Sequence, residues 1–273
     1  MFHLFQSLSR FHISVSNLHL CKLCGASCFT LIVRVLCQCI LLCFLCLVMS
    51  PCFPFCCYSL VYDCQRLWGA FEQAYVNKDP CNIPVQAYDP LIAAAPFKPQ
   101  CNKMMFWSKT KVVVHGFTEK RKDCFVTLED TVLGYALNGL TWCGKKGSNG
   151  TFTTACPRNC ENNPVDSFWI RASAAYADVA CGDVTAMLSG STTTPFDPTS
   201  TFAKVEVTRF KAPKVRSLNV VMVIQKNAKS NCKNASLQKL KKALHTGITY
   251  SCKDVSRIQE CGSKPQIACK TCW

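Results

Sequence analysis

The sequence predicts a disulfide-rich α+β or α/β fold: a mainly helical N-terminal part, then a part with a small, mostly parallel sheet flanked by helices. Three observations carry this. Helical stripes come first along the chain, β-branched runs alternating with a helix come last, and 23 of the 273 residues are cysteine. Helices followed by alternating strands and helix suggest a helical part before an α/β part. Cysteine at that density points to an oxidising compartment rather than the cytosol.

An apolar fraction of 49% supplies a large core and excludes disorder. Lysine plus arginine number 31 against 16 carboxylates, a formal charge of +15. Residues 1–62 hold ten cysteines, three basic residues and no acid, and Asp63 is the first carboxylate. That break sets the expected domain boundary. Residues 1–62 read as a cytoplasmic tail plus signal anchor or signal peptide, and 63–273 as the folded domain, helical over about 63–180 and α/β over about 181–273. The apolar run Val35 to Met49 is interrupted only by Gln38, and extension back to Phe29 reaches the length of about 20 residues that a span needs. Its preceding charges are all positive, which keeps the N-terminus cytoplasmic. Two readings stay open: a single-pass anchor through residues 29–49 with the bulk of the chain outside, or a cleaved signal and a secreted or vesicle-lumenal product. The sequons at Asn149 and Asn234 agree with both as glycosylation sites. Cys21-Lys-Leu-Cys24 and Cys269-Lys-Thr-Cys272 have zinc-like spacing but lack a second ligand pair, so no metal is expected.

Within the exported part, Leu67, Trp68, Phe71, Ala74 and Tyr75 form one apolar face, predicting a helix over 64–75. Four prolines keep any helix in 82–100 short. Residues 103–117 mix apolar and basic side chains. Thr127 and Asp130 resemble a capping box, ahead of a stripe from Leu128 to Ala136. Glycines and paired asparagines make 144–163 a loop, and 167–180 an alanine-rich helix follows. Val184–Leu188 reads as a strand, 189–201 as a Ser/Thr/Pro loop, and Val205-Glu206-Val207 as a short strand with the glutamate opposite the valines. Leu218–Ile224 is a buried strand, Ser236 caps a basic helix over 237–245, and 248–252 is the last strand.

No phosphate-binding glycine loop, nucleophile elbow or zinc-helix motif is present. His115 and His245 have no nucleophile beside them in sequence, so histidine-based catalysis is disfavoured. Carboxylates and tryptophans remain, and core packing is the ordinary role of a tryptophan.

Five stretches then carry a resemblance: Met105-Phe-Trp107-Ser108, Thr127-Leu-Glu129-Asp-Thr-x-x-Gly-Tyr135, Leu140-Thr-Trp-Cys143-Gly, Asn162-Asn-Pro-Val-x-x-Phe-Trp169 and Ser200-Thr-Phe-x-x-Val-Glu206-Val. Together, from about Asp63 to Cys269, the chain resembles the ADP-ribosyl cyclase / NAD glycohydrolase family. The resemblance implies an enzyme that cleaves NAD or NADP, releases nicotinamide, and forms cyclic ADP-ribose, ADP-ribose or both, with base exchange as a side activity. It implies Glu206 as the catalytic glutamate, Trp107 and Trp169 as holders of the nicotinamide end, and Glu129 as the acid that influences cyclisation against hydrolysis. Ser108, Ser173, Thr201 and Phe202 match positions that contact phosphate and ribose, and Asn138 stands where some members carry aspartate. Phe125, Asn138 and Gly139 are expected to tune the product. NAD and NADP are substrates, so no cofactor is implied. Implied disulfides are Cys81–Cys160, Cys101–Cys181, Cys143–Cys156, Cys232–Cys252 and Cys261–Cys269. A partner for Cys64 is sought among Cys52, Cys56 and Cys57, and Cys124 and Cys272 are left over.

The chemistry suits these residue types. Nicotinamide leaves a pyridinium as a neutral base and needs no proton, while positive charge grows on the ribose. A carboxylate stabilises or traps that charge, and aromatic faces hold the cationic ring. The basic surplus favours an anionic dinucleotide. A non-catalytic receptor or binding module on the same scaffold is the competing reading. Nucleic acid is not an expected partner, because the basic residues are scattered. A homodimer stays open.

Overall fold

The computed structural model describes residues 62–273 except 265 and 272. The chain divides into two units, Met1–Cys64 and Gln65–Trp273. The expected span at 29–49 and the three candidate partners of Cys64 lie outside the described residues. Among the described residues, no helix is long and apolar enough to cross a membrane.

Helix α1 (Cys64–Tyr75) buries Leu67, Ala70, Phe71, Ala74 and Tyr75, one face at spacings of three and four. The proline-rich stretch forms a 3₁₀ turn at Val85–Tyr88 and the short α2 (Asp89–Ala94). Next come β1 (Met105–Ser108), α3 (Lys111–Thr118), a 3₁₀ turn at Leu128–Asp130 and α4 (Val132–Leu137). An antiparallel pair follows, β2 (Cys143–Lys145) and β3 (Ser148–Phe152), where the sequence predicts only loop. Helix α5 (Pro164–Asp178) starts on its N-cap Asn163, whose side chain accepts from the Asp166 amide. Then come β4 (Gly182–Ser189), β5 (Val215–Val223), α6 (Ala235–Ala243), β6 (Thr249–Val255) and α7 (Ile258–Gly262).

The main sheet has the order β1-β4-β5-β6, and every neighbouring pair is parallel. Val184 to Leu188 are all buried, as in a strand covered on both faces. The edge strand β1 comes from the predicted helical half, so the sheet joins both halves of the domain. Phe106 on β1 meets Tyr176 of α5 at 5.2 Å and Phe210 at 4.8 Å between ring centroids, packing helix onto sheet.

Two local expectations change. The cap of α6 is Asn234, which accepts from the Ser236 amide; the Ser236 hydroxyl instead accepts from the Phe196 amide. The stretch 205–207 is not a strand: Phe202–Glu206 form a π-turn running into a 3₁₀ turn at Val207–Arg209. Alternating β-branched residues over so few positions cannot separate a strand from a wide helical turn.

Disulfides join Cys81–Cys160, Cys101–Cys181, Cys143–Cys156 and Cys232–Cys252. The pair Cys261–Cys269 is corrected: Cys269 is bonded to Cys124, 145 residues away. Buried Arg121 explains the route, since its guanidinium donates to the Ile267 carbonyl and draws the tail back across α3. Trp273 then packs on Phe117 and Phe125, at 5.5 and 5.1 Å between centroids. Phe125 therefore belongs to this core, against which Trp107 also packs, and does not itself line the cleft described below.

Candidate active site

The cleft holds about 560 Å³ and opens beyond the carboxyl end of β1. Crevices at strand carboxyl ends are where open parallel sheets bind ligands. Trp107, Ser108, Glu129, Asn138, Trp169, Ser173, Thr201, Phe202 and Glu206 all line it, so residues spread across almost 100 positions meet in one cavity.

One wall is α5 and the π-turn. Trp169, Ser173 and Tyr176 follow a spacing of four and three, so α5 shows the cleft one stripe. Alanines at 172, 174 and 175 are buried beside it and allow close packing. The π-turn lets Phe202 and Glu206 point the same way, and both are buried. Glu206 is only 8% exposed, and burial chiefly pushes its carboxyl up to about 8. A hydrogen bond from the Ser173 hydroxyl pulls in the opposite direction, and the charge of Glu129 pushes further up. Tyr176 donates to the Val126 carbonyl at 2.7 Å, and its burial keeps the phenol neutral.

The other wall is β1, α3 and the turn at 128–130. The capping box holds that turn: the Asp130 carboxylate accepts from the Thr127 amide at 2.8 Å and hydroxyl at 2.9 Å. Gly134 lies against the same turn so closely that a Cβ there would sit 2.0 Å from the Leu128 carbonyl oxygen. These constraints aim Glu129 into the cleft. Its Oε2 accepts from the Trp107 indole N–H at 3.2 Å. Trp107 thus both lines the cleft and fixes the second carboxyl.

Ser108 and Ser173 are buried, whereas Thr201 and Asn138 are exposed at the rim. Sequence reasoning missed several lining residues. Lys109 at the mouth pairs with Asp197 at 2.8 Å, which holds that carboxyl well below the usual range. Arg158, Lys111 and Asp166 also line the cleft. Lysines two positions apart after Trp107 were the available signal, but they read as part of a scattered basic surplus. No residue set in the cleft resembles a metal centre: among the described residues, the cluster close enough is Asp123, Cys124 and Cys269, whose sulfurs bond each other.

Comparison with known proteins gives the site its context. The family model described as ADP-ribosyl cyclase matches residues 46–270. The mouse ADP-ribosyl cyclase/cyclic ADP-ribose hydrolase 1 is 38% identical over 213 residues, covering 75% of this chain and 70% of the relative. The ADP-ribosyl cyclase/cyclic ADP-ribose hydrolase of the mollusc Aplysia californica is 34% identical and is covered to 67%, as is this chain. Among solved structures, porcine CD38 with a covalent intermediate superposes with a TM-score of 0.66 at 36% identity, covering 71% of this chain and 86% of that one. Aplysia cyclase bound to substrate NGD and product cGDPR gives 0.65 at 31% identity, with coverages of 76% and 85%. The chain belongs to the ADP-ribosyl cyclase family.

Proposed function

We propose that this chain cleaves NAD and NADP at the nicotinamide–ribose bond and releases cyclic ADP-ribose, ADP-ribose or both. The observation that carries the reading is a single buried carboxyl, Glu206, in one cleft with the indoles of Trp107 and Trp169. Complete retention of this set argues against a non-catalytic module.

The indoles stack on the pyridinium and exclude water from it. A bound cation beside Glu206 favours its ionised form, reversing the effect of burial. As neutral nicotinamide departs, the carboxylate faces the growing ribosyl cation and stabilises it or bonds to it. Capture by the adenine ring closes the cycle, capture by water gives the linear product, and capture by another pyridine exchanges the base. Glu129, on the opposite wall, affects this partition. Ser108, Ser173, Thr201 and Phe202 seat ribose and phosphates, with Asn138 at the rim. The dinucleotide is consumed, so no cofactor is needed.

The five disulfides support an oxidising location, outside the cell or in a vesicle lumen. The apolar run at 29–49 serves as a signal anchor or a cleaved signal. Asn149 is exposed on β3 and open to glycosylation; Asn234 is the second site, where the side-chain amide must first leave the Thr193 carbonyl. The test of function is product mass after the full chain is incubated with NAD. Nicotinamide together with either ribosyl product is expected; intact NAD would overturn the reading.

A further inference from the structure

The Glu129 carboxyl has a second neighbour that the proposed chemistry leaves unused. His115 lies on α3, whose preceding Thr110 ties it to β4 through a 3.1 Å bond from its hydroxyl to the Met187 carbonyl. The imidazole stands edge-on to the Trp107 indole, with centroids 5.5 Å apart and planes at 79°. Its Nε2 is 4.0 Å from Glu129 Oε1. That nitrogen is buried and has no hydrogen-bond partner among the described residues.

A buried ring nitrogen without a partner is costly, and one carboxylate oxygen stands about 1 Å beyond hydrogen-bond reach of it. The other oxygen is already held by Trp107. Two ring nitrogens therefore face the two oxygens of one carboxyl, at 3.2 and 4.0 Å. The side chains of Glu129 and His115 are only 10% and 23% exposed, so solvent screens the contact weakly.

We propose that His115 is a positioning residue for Glu129 and, through it, helps set the partition of the ribosyl intermediate between adenine and water. This rests on the proposed cleavage of NAD. A proton on Nε2 makes a charge-assisted bond to Oε1 after a small closure, and the carboxyl is then gripped from both sides. Gripped, it presents one orientation to the intermediate and to any water in the cleft. Released from His115, it rotates about the indole bond, and repulsion from Glu206 decides where it settles.

The experiment compares His115→Phe, which keeps an aromatic ring, with His115→Gln, which keeps an N–H near the Nε2 position. Cyclic and linear products and total nicotinamide are measured by mass in the full chain. His115→Phe is expected to move the cyclic-to-linear ratio by at least about threefold, the scale of coupling between contacting residues. His115→Gln is expected to stay within about twofold of wild type, and His115→Phe to move the ratio no further in a Glu129→Leu background. An unmoved ratio in His115→Phe overturns the assignment. So does an equal shift in the Phe and Gln variants, or a shift that persists undiminished without the Glu129 carboxyl. Nicotinamide release with an unmoved ratio defeats this assignment alone. Absence of release from the wild-type chain defeats the proposed function with it.

Discussion

The two walls of the cleft each present one carboxyl, and they are built differently. Glu206 stands on a π-turn packed against α5, a helix of 15 residues with nine buried positions. It is buried and supported by one hydroxyl, so burial dominates its proton affinity. Glu129 stands on a three-residue 3₁₀ turn held by a capping box, a glycine contact and an indole N–H. The first wall is a continuous helix that the core fixes. The second is assembled from short pieces that fix one another. The difference teaches that the carboxyl proposed to face the ribosyl cation is set by desolvation, whereas the one opposite is set by orientation.

Breaking the first wall gives the larger loss. Trp169→Ala removes the proposed cation–π partner of the pyridinium, worth about 2 kcal/mol when desolvated, so kcat/KM for NAD is expected to fall about 30-fold or more. A fall below about threefold in steady-state assays would remove Trp169 from the nicotinamide site.

The pH profile sharpens the contrast next. With Glu206 raised to about 8, kcat/KM should rise with pH through that value, since the free enzyme must ionise it. The bound pyridinium favours the carboxylate, so the acidic limb of kcat should lie at lower pH. Ser173→Ala removes the bond that favours ionisation and should move the kcat/KM limb upward. A profile flat from pH 6 to 9 would contradict this. The same shift has a stability consequence. Between pH 4.5 and about 8 the folded chain keeps a proton that the unfolded chain releases, so stability declines as pH rises through that window. Glu206→Gln should lack this decline in thermal melts taken across the window.

The second wall should fail by misorientation. Gly134→Ala forces the 128–130 turn to shift, because the new Cβ meets the Leu128 carbonyl oxygen. A stability loss of about 1–3 kcal/mol is expected from chemical denaturation, with a changed product ratio and a modest change in total nicotinamide. An unchanged ratio would mean the turn does not aim Glu129.

Much of the scaffold was legible. The apolar stripe of α1, the alanine-rich α5 and the β-branched β5 announce themselves by period and composition, as tertiary packing merely completes what the pattern begins. The nine candidate residues were legible only through the family resemblance, because no local rule joins Trp107 to Glu206. The π-turn was misread since Val-Glu-Val has strand composition while its context is helical. The β2–β3 pair hid in glycine and asparagine, residues that serve tight hairpins and loops alike. His115 and the Cys124–Cys269 bridge were invisible because both depend on contacts distant in sequence: 14 residues separate His115 from Glu129, and 145 separate the cysteines.

The most direct test is Glu206→Gln in the full chain, with nicotinamide release and NAD binding measured side by side. Loss of one positioned carboxylate that stabilises the transition state is expected to lower release by about 10³-fold or more while binding stays within an order of magnitude. Near-normal release from a correctly folded Glu206→Gln protein would contradict the account.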